Sequence, residues 1–346
     1  MAGLYTIRRK AKQFASLQQV HDLGALIHTE PYKLSLFAFA PKYHCFKMKK
    51  PKGGFREIED PVLGLKRILT KVNGYLQACY YLDRPENVHG FTISASHDRE
   101  RNIISNAKAH CGRPYLLNVD LKDFFHQVSQ ERVYGVFQNR ATQADPDLLD
   151  LLTKLTCYRG RLPMGAPTSP VLSNYASLEL DAKLSTFCHH RGFCYTRYAD
   201  DLSFSSNDKI EGGDMAMIRS LIAEEKYLVN ENKIQLFKAE DEKIVTGLLV
   251  KQEGVSLQKN YVDGIGKEVE RFRAFHIVER RYMTGASLKK LKIFEKELLG
   301  KIQFGLMVEP ESEQLHQWIS IVEEVHDEVE SFESVNWLEV PYINMV

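Results

Sequence analysis

No two of the six cysteines (Cys45, Cys79, Cys111, Cys157, Cys188 and Cys194) are spaced as a Cys-x-x-Cys pair. Their scatter argues against a zinc site or a disulfide framework and fits reduced thiols in a cytoplasmic protein. No uninterrupted apolar run approaches the length of a membrane span, so no membrane partner is expected. The basic start, MAGLYTIRRKAKQF, lacks the apolar core of a secretion signal. Internal repeats and low-complexity tracts are also missing. Positive charge nearly vanishes from the last stretch: residues 301–346 hold ten acidic side chains and one basic one, Lys301, a balance of −9. With a formal net charge of +1, the first 300 residues therefore carry +10. A modestly basic body suits a polyanionic partner. The acidic tail around SIVEEVHDEVESF reads as a solvated helix face or as a surface for a basic partner.

What is present is ordinary in bulk: 346 residues, 44% hydrophobic and 26% charged, enough to bury a real core and to hold two or three subdomains. Residues 1–40 carry apolar positions at helical spacing, Phe14, Leu17, Val20, Leu23 and Leu26 among them. FKMKKPKGGFREIEDP reads as a basic hairpin turning at Pro-Lys-Gly-Gly. LGLKRILTKVNGYLQACYY and RERNIISNAKAH read as helices, YLLNVDLKDFF as a hydrophobic strand ending on Asp120, and residues 214–228 as a helix. KIVTGLLV reads as one short strand, and the chain turns mostly helical from Val255, with a domain boundary near 250.

The stretch YTRYADDLSFSS sets Asp200 beside Asp201 between two alternating runs, the pattern of a hairpin with an acidic pair at its turn. Aspartate is common in turns, and a solvated turn is the plain reading. The alternative is a cation held between carboxylates, with Asp120 arriving from the end of its own strand. Three oxygen ligands would suit Mg²⁺, and two such ions stabilise the attacking and leaving oxygens of a phosphoryl displacement. Neighbouring strand residues face opposite sides, so Asp200 is expected to bridge and Asp201 to sit at the periphery.

Five motifs in order, spanning roughly residues 45 to 250, resemble those of bacterial retron reverse transcriptases: NAKAH, NVDLKDFF, LPMGAPTSP, YADD and VTG. The resemblance implies an α+β right-hand polymerase. Its parts would be an N-terminal helical region with fingers over 1–115, a palm over 116–250 with a fingers insertion at about 130–170, and a helical thumb with the acidic segment over 251–346. It implies an RNA-directed DNA polymerase using two Mg²⁺ ions and deoxynucleoside triphosphates. Template and product would be a cognate structured non-coding RNA and multicopy single-stranded DNA. An effector protein would be a further partner, in anti-phage defence. Two rival readings stand beside it: a stand-alone defence or diversity-generating reverse transcriptase on another RNA, and an RNA-binding or effector-scaffolding protein whose catalysis is incidental.

By the same resemblance Asp120, Asp200 and Asp201 fall on metal-binding carboxylates. Phe125 falls on the aromatic gate that excludes a ribose 2′-hydroxyl, and Arg56 on the arginine that grips the triphosphate, with Lys50 or Lys52 assisting. Lys233 falls on the lysine that protonates the leaving pyrophosphate. Met164, followed by Gly165, stands where the pattern usually has glutamine, so a packing thioether replaces a hydrogen-bonding amide at the nucleotide. Asn106 and His110, with Val245, Thr246 and Gly247, fall on the motifs expected to meet RNA. Each has a bland alternative: a helix cap for Asn106, packing for His110, and a tight strand end for the Val-Thr-Gly run.

Overall fold

Contacts divide the chain into two compact units, residues 1–246 and 247–346; the computed structural model describes residues 3–50, 53–96, 98–279 and 285–333. The first unit opens with α1 (Leu4–Ala15), α2 (Val20–Leu26) and α3 (Pro31–Phe39), then the hairpin β1 (Tyr43–Lys49) and β2 (Phe55–Pro61), then the long α4 (Leu63–Asp83). In α1 the apolar residues Ile7, Ala11 and Phe14 recur at helical period and are buried, with α1 packed along α4. The hairpin turns at Gly53 and Gly54, whose φ of 94° and 78° suit residues without a Cβ. Lys52, expected near the nucleotide, lies outside the described residues.

A short helix, α5 (Ile103–Lys108), follows. It is shorter than the sequence pattern suggests, because Asn102 caps it, its side chain accepting from the N–H groups of Ile104 and Ser105. Next come β3 (Tyr115–Asp120), α6 (Gln130–Arg140), α7 (Pro146–Thr156), α8 (Ser169–Ala176), α9 (Leu178–Arg191), β4 (Cys194–Tyr198), β5 (Asp201–Ser206), α10 (Gly212–Glu224), β6 (Gln235–Phe237) and β7 (Lys243–Val245). Four of these strands form one sheet in the order β4-β5-β3-β6, and its ladders are antiparallel.

Strand alternation gives this sheet two unlike faces. Val119, Leu117, Leu202, Phe204 and Tyr195 fall on one face and are buried in the main core. The other face carries Asp120, Asn118, Asp201, Ser203, Ser205 and Thr196. Every second residue of "DLSFSS" is thus polar for a structural reason, since it serves a face that carries hydrogen bonds rather than apolar packing.

The expected single strand over KIVTGLLV is two. Thr246 and Gly247, at φ 47° and 84°, break it into β7 and β8 (Leu248–Val250), because left-handed residues cannot continue a ladder. In the second unit β8 pairs with β9 (Val255–Ser256). Three helices follow, α11 (Lys259–Glu279), α12 (Gly285–Val308) and α13 (Glu313–Glu333). Phe272 and Phe294 meet edge to face at 5.5 Å, and Lys301 pairs with Glu268 at 2.7 Å. Among the described residues no helix is long and apolar enough to cross a membrane.

Candidate active site

The acidic turn is as tight as a hairpin allows. Tyr198 pairs with Asp201, leaving only Ala199 and Asp200 to reverse the chain. Ala199 has φ 59° while Asp200 does not have a positive φ, the pattern of a type II′ turn whose first position glycine usually fills. A buried network stabilises that strained alanine. Arg197, wholly buried, donates to both carboxylate oxygens of Asp181 at 2.8 and 2.7 Å, to Asn174 Oδ1 at 2.9 Å and to the Ala199 carbonyl at 3.1 Å. Tyr195 Oη donates to the same Asp181 at 2.8 Å. Burial alone would lower the Arg197 pKa, but Asp181 overrides it and the guanidinium stays charged. From outside the hairpin, Gly90 presses on the turn: a Cβ there would lie 2.6 Å from Ala199 N.

Asp120 sits opposite Asp201 in the β3–β5 ladder, and Leu121 N donates to the Asp200 carbonyl at 2.9 Å. This brings the end of β3 against the turn. Burial raises the pKa of Asp200, and the nearby charge of Asp120 raises it further, while Lys233 and Arg56 oppose the rise. The two carboxylates therefore share one small volume and repel. Lys233 Nζ makes an ion pair with Asp120 Oδ1, and Asn230 donates to Asp120 Oδ2 at 3.1 Å. Partial burial works against the Lys233 charge, but Asp120, then Asp200 and Asp201, raise its pKa. Asp201 is exposed at the strand start.

Among the described residues no three His, Cys, Asp or Glu side chains form a ready-made group for a metal ion. Asp120 lies across from Asp201 in the β3–β5 ladder, with Asp200 in the turn beside them. The donors fit a hard dication nonetheless. Mg²⁺ takes oxygen ligands, is commonly held by one or two carboxylates, and completes its shell with water and substrate phosphates. Acids gathered at the end of the two inner strands supply that partial shell.

The basic hairpin is tied to the loop that carries Met164. Glu59, fully buried on β2, receives Arg161 at 2.8 and 3.1 Å. Its N–H donates to the Met164 carbonyl at 2.7 Å. Burial pushes the Glu59 pKa up, but Arg161 and then His126 bring it below the usual carboxylate value. Gly165, at φ 135°, lets the loop approach so closely that a Cβ would stand 2.8 Å from the Glu59 carbonyl. This docking holds Arg56, three residues earlier, within electrostatic reach of Asp200. Phe125 lies on a 3₁₀ turn, Phe124–Gln127, half-buried with its ring against Phe91.

Burial corrects three of the residues expected to meet RNA, Asn106, His110 and Val245. Asn106 and His110 are 0% and 1% exposed. His110 bridges Ser205 Oγ and Thr196 Oγ1, both at 2.7 Å, across the polar face of the sheet. Val245 is fully buried, and the Thr246 hydroxyl donates to the Ile103 carbonyl at 3.2 Å. Thr246, half-buried, thereby joins its motif to α5, and the two motifs brace one another within the fold. Asn106 Nδ2 and Oδ1 meet no hydrogen-bond partner among the described residues. Gly247 is exposed.

Burial drives the His110 pKa down to about 3 and that of His89 to about 4. Both folded-state values lie below the unfolded value near 6.5, so on acidification the unfolded chain takes up protons that the folded chain refuses. Stability is thus whole above about pH 6.5 and declines as pH falls towards 3. Thermal melts from pH 7 to 5 should show a falling midpoint, with a shallower decline in a His110→Gln variant. An identical slope in that variant would remove His110 from the account.

Several residues that shape the site were missed in the sequence: Gly90 and Phe91, Glu59 with Arg161, Asn230, and Arg197 with Asp181 and Asn174. One signal was available. A lone arginine inside the alternating run Tyr195–Tyr198 falls on the apolar face, where a charge needs a buried partner.

Comparison with known proteins follows the same lines. The sequence pattern of the reverse transcriptase (RNA-dependent DNA polymerase) family matches residues 48–261. The Retron Ec86 reverse transcriptase of Escherichia coli is 29% identical over 272 residues, covering 77% of this chain and 79% of that protein. The Retron Ec83 reverse transcriptase of Escherichia coli is 27% identical over 314 residues, covering 85% and 90%. The Retron Mx162 reverse transcriptase of Myxococcus xanthus is 30% identical over 284 residues, covering 71% and 56%. Among solved structures, a telomerase from Candida albicans with a fragment of telomeric RNA aligns at a TM-score of 0.47 and 13% identity, covering 86% of this chain and 64% of that one.

Proposed function

Because the chain belongs to the reverse transcriptase family, with retron enzymes as its relatives, it is an RNA-directed DNA polymerase of the right-hand α+β class, and we propose that it copies a cognate structured non-coding RNA into multicopy single-stranded DNA. The observation that carries the chemistry is the end of β3, at Asp120, set against the turn that carries Asp200 and Asp201.

In the proposed reaction a primer hydroxyl attacks the α-phosphate of a deoxynucleoside triphosphate, and pyrophosphate leaves. Asp120, Asp200 and Asp201 would hold two Mg²⁺ ions, which when bound lower the cost of ionising the hydroxyl and offset phosphate charge. Arg56 grips the triphosphate through its guanidinium fork. Lys233 moves from Asp120 to the leaving pyrophosphate and delivers a proton. Phe125 closes the space that a ribose 2′-hydroxyl would need, and Met164 with Gly165 packs beside the nucleotide. The first primer is an internal guanosine 2′-hydroxyl of the RNA, so the DNA stays joined to its template by a branch. The proposal places the enzyme in the cytoplasm, in a fingers–palm–thumb arrangement. Its RNA–DNA complex restrains an effector protein in anti-phage defence, a role that rests on kinship alone.

The test is to purify the protein expressed with its native flanking DNA, extract the bound nucleic acid, and treat halves with RNase and with DNase. DNA that remains attached to RNA until debranched is the expected result. Unbranched DNA would remove the 2′-hydroxyl priming, and RNA without any DNA would remove the polymerase role in this complex.

A further inference from the structure

We propose that Phe91 is a positioning residue for sugar selection, holding the Phe125 ring in place so that the enzyme refuses ribonucleotides. This rests on the reading of Phe125 as the wall against a 2′-hydroxyl.

Phe125 follows Asp120 by five residues, on a turn entered through Asp123 at φ 46°. Its neighbour Phe124 points into the core, 3% exposed, against Tyr227 at 5.6 Å and under the Arg197 guanidinium. Phe125 is half-buried and in contact with two rings. Phe124 lies 5.8 Å away at 42°, and Phe91 lies 5.9 Å away, stacked at 29°. Phe124 is held by the core. Phe91 belongs to no helix or strand, so its own placement needs a separate cause.

That cause is visible in the backbone. Phe91 has φ 57°, a conformation that residues with a bulky side chain rarely adopt. It is held there from two sides. Gln77 Nε2 donates to the Phe91 carbonyl at 3.2 Å, and Asn174 Nδ2 donates to the Gly90 carbonyl at 3.0 Å. The Asn174 amide oxygen accepts from Arg197, which also donates to Ala199 in the acidic turn. His89 N donates to the Arg197 carbonyl at 2.9 Å, and Gly90 abuts the backbone of Ala199. The loop that carries Phe91 is thereby registered to the same turn that carries Asp200. The sugar wall and the carboxylates share one frame.

Exclusion by clash is only as good as the stiffness of the wall. A single phenylalanine at a half-buried site can change rotamer or lean by tens of degrees at small cost. A ring in contact with two others loses those contacts when it moves. Phe91 supplies the stacked one. Phe91 is assigned no part in the chemistry itself, so its removal should alter the choice of sugar more than the rate of synthesis.

The experiment measures kcat/KM for one deoxynucleoside triphosphate and for its ribonucleoside counterpart on a primed RNA template. The enzymes are wild type, Phe91→Ala, Phe91→Tyr, Phe125→Ala and the Phe91→Ala/Phe125→Ala double variant. The ratio is taken within each preparation, so a partly folded sample does not shift it. Phe125→Ala should raise relative ribonucleotide use most. Phe91→Ala should raise it on the order of tenfold, the measure of a lost aromatic stack, and Phe91→Tyr, which keeps the ring, should hold it near wild type. The double variant should match Phe125→Ala, because Phe91 acts through that ring. If Phe125→Ala shifts the ratio and Phe91→Ala leaves it at the wild-type value, Phe91 is only packing and the proposal is wrong. Additive effects would equally overturn it, since they would give Phe91 a role independent of Phe125. If Phe125→Ala leaves the ratio unchanged, the gate reading itself falls, and this inference falls with it.

Discussion

Asp200→Asn should abolish DNA synthesis, by at least ~10³-fold, while making the metal-free protein more stable rather than less. The first half follows from removing one of the two acids that converge beside the turn. The second follows from the direction of its pKa: burial and then Asp120 raise it above the ordinary carboxylate value. Above its folded pKa the ionised group therefore subtracts from stability relative to the unfolded chain. An asparagine keeps the shape and removes the repulsion. Thermal melts in chelator should show a higher midpoint for the variant. Added Mg²⁺ should raise the wild-type midpoint and leave that of the variant nearly still. Synthesis near the wild-type rate would sink the assignment of Asp200, and a lower midpoint in chelator would sink the account of like charges held together.

Arg197→Ala should cost about 3–5 kcal/mol of stability, the usual penalty for breaking a buried ion pair by removing one partner. On a chain of this size that is a drop in the melting midpoint on the order of 10 °C. Asp181 would keep Tyr195 as a donor at 2.8 Å but lose its countercharge, and Ala199 and Asn174 would each lose a donor. Replacing both partners, as Arg197→Met with Asp181→Leu, removes the stranded charge and should recover much of the stability. It should not recover synthesis, because nothing then donates to the Ala199 carbonyl in the strained turn. The comparison separates holding the fold together from holding the turn in shape. Recovery of both stability and activity in the double variant would show that the ion pair has no part in placing Asp200.

Much of this was legible beforehand because local pattern and local structure agree. The basic hairpin, the strand ending on Asp120 and the acidic turn all lie where alternation and turn residues put them. The convergence of Asp120 with Asp200 could be guessed from motif order. What local pattern could not show was depth. Asn106 and His110 read as a polar face of a helix, free to meet RNA. They are instead sealed against the serine- and threonine-bearing side of the sheet, because period-two polarity in β5 marks hydrogen bonding inside as readily as solvent outside. Gly90 was silent for a related reason. A glycine needed for close approach has no signature until its neighbour, 109 positions later at Ala199, is placed beside it. The break at Thr246 was legible only as a possible tight strand end, because its left-handed φ falls on a β-branched residue, where no turn is expected.

The sheet order carries a consequence for how the protein is made. β3 is an inner strand, yet both of its neighbours, β5 and β6, are encoded after it. A ribosome adding 5–20 residues per second needs roughly 4–16 s to travel the 80 or so positions from Asp120 to Asp201. Through that interval the apolar Leu116, Leu117 and Val119 have no strand to pair with and would be open to wrong partners. Substitutions that leave the finished enzyme untouched but make this stretch stickier, or that slow translation across residues 120–200, should therefore lower the yield of soluble protein before they lower its activity. The last carboxylate to be synthesised lies on β5, the first strand able to pair with β3, and β6 completes the sheet some thirty residues later.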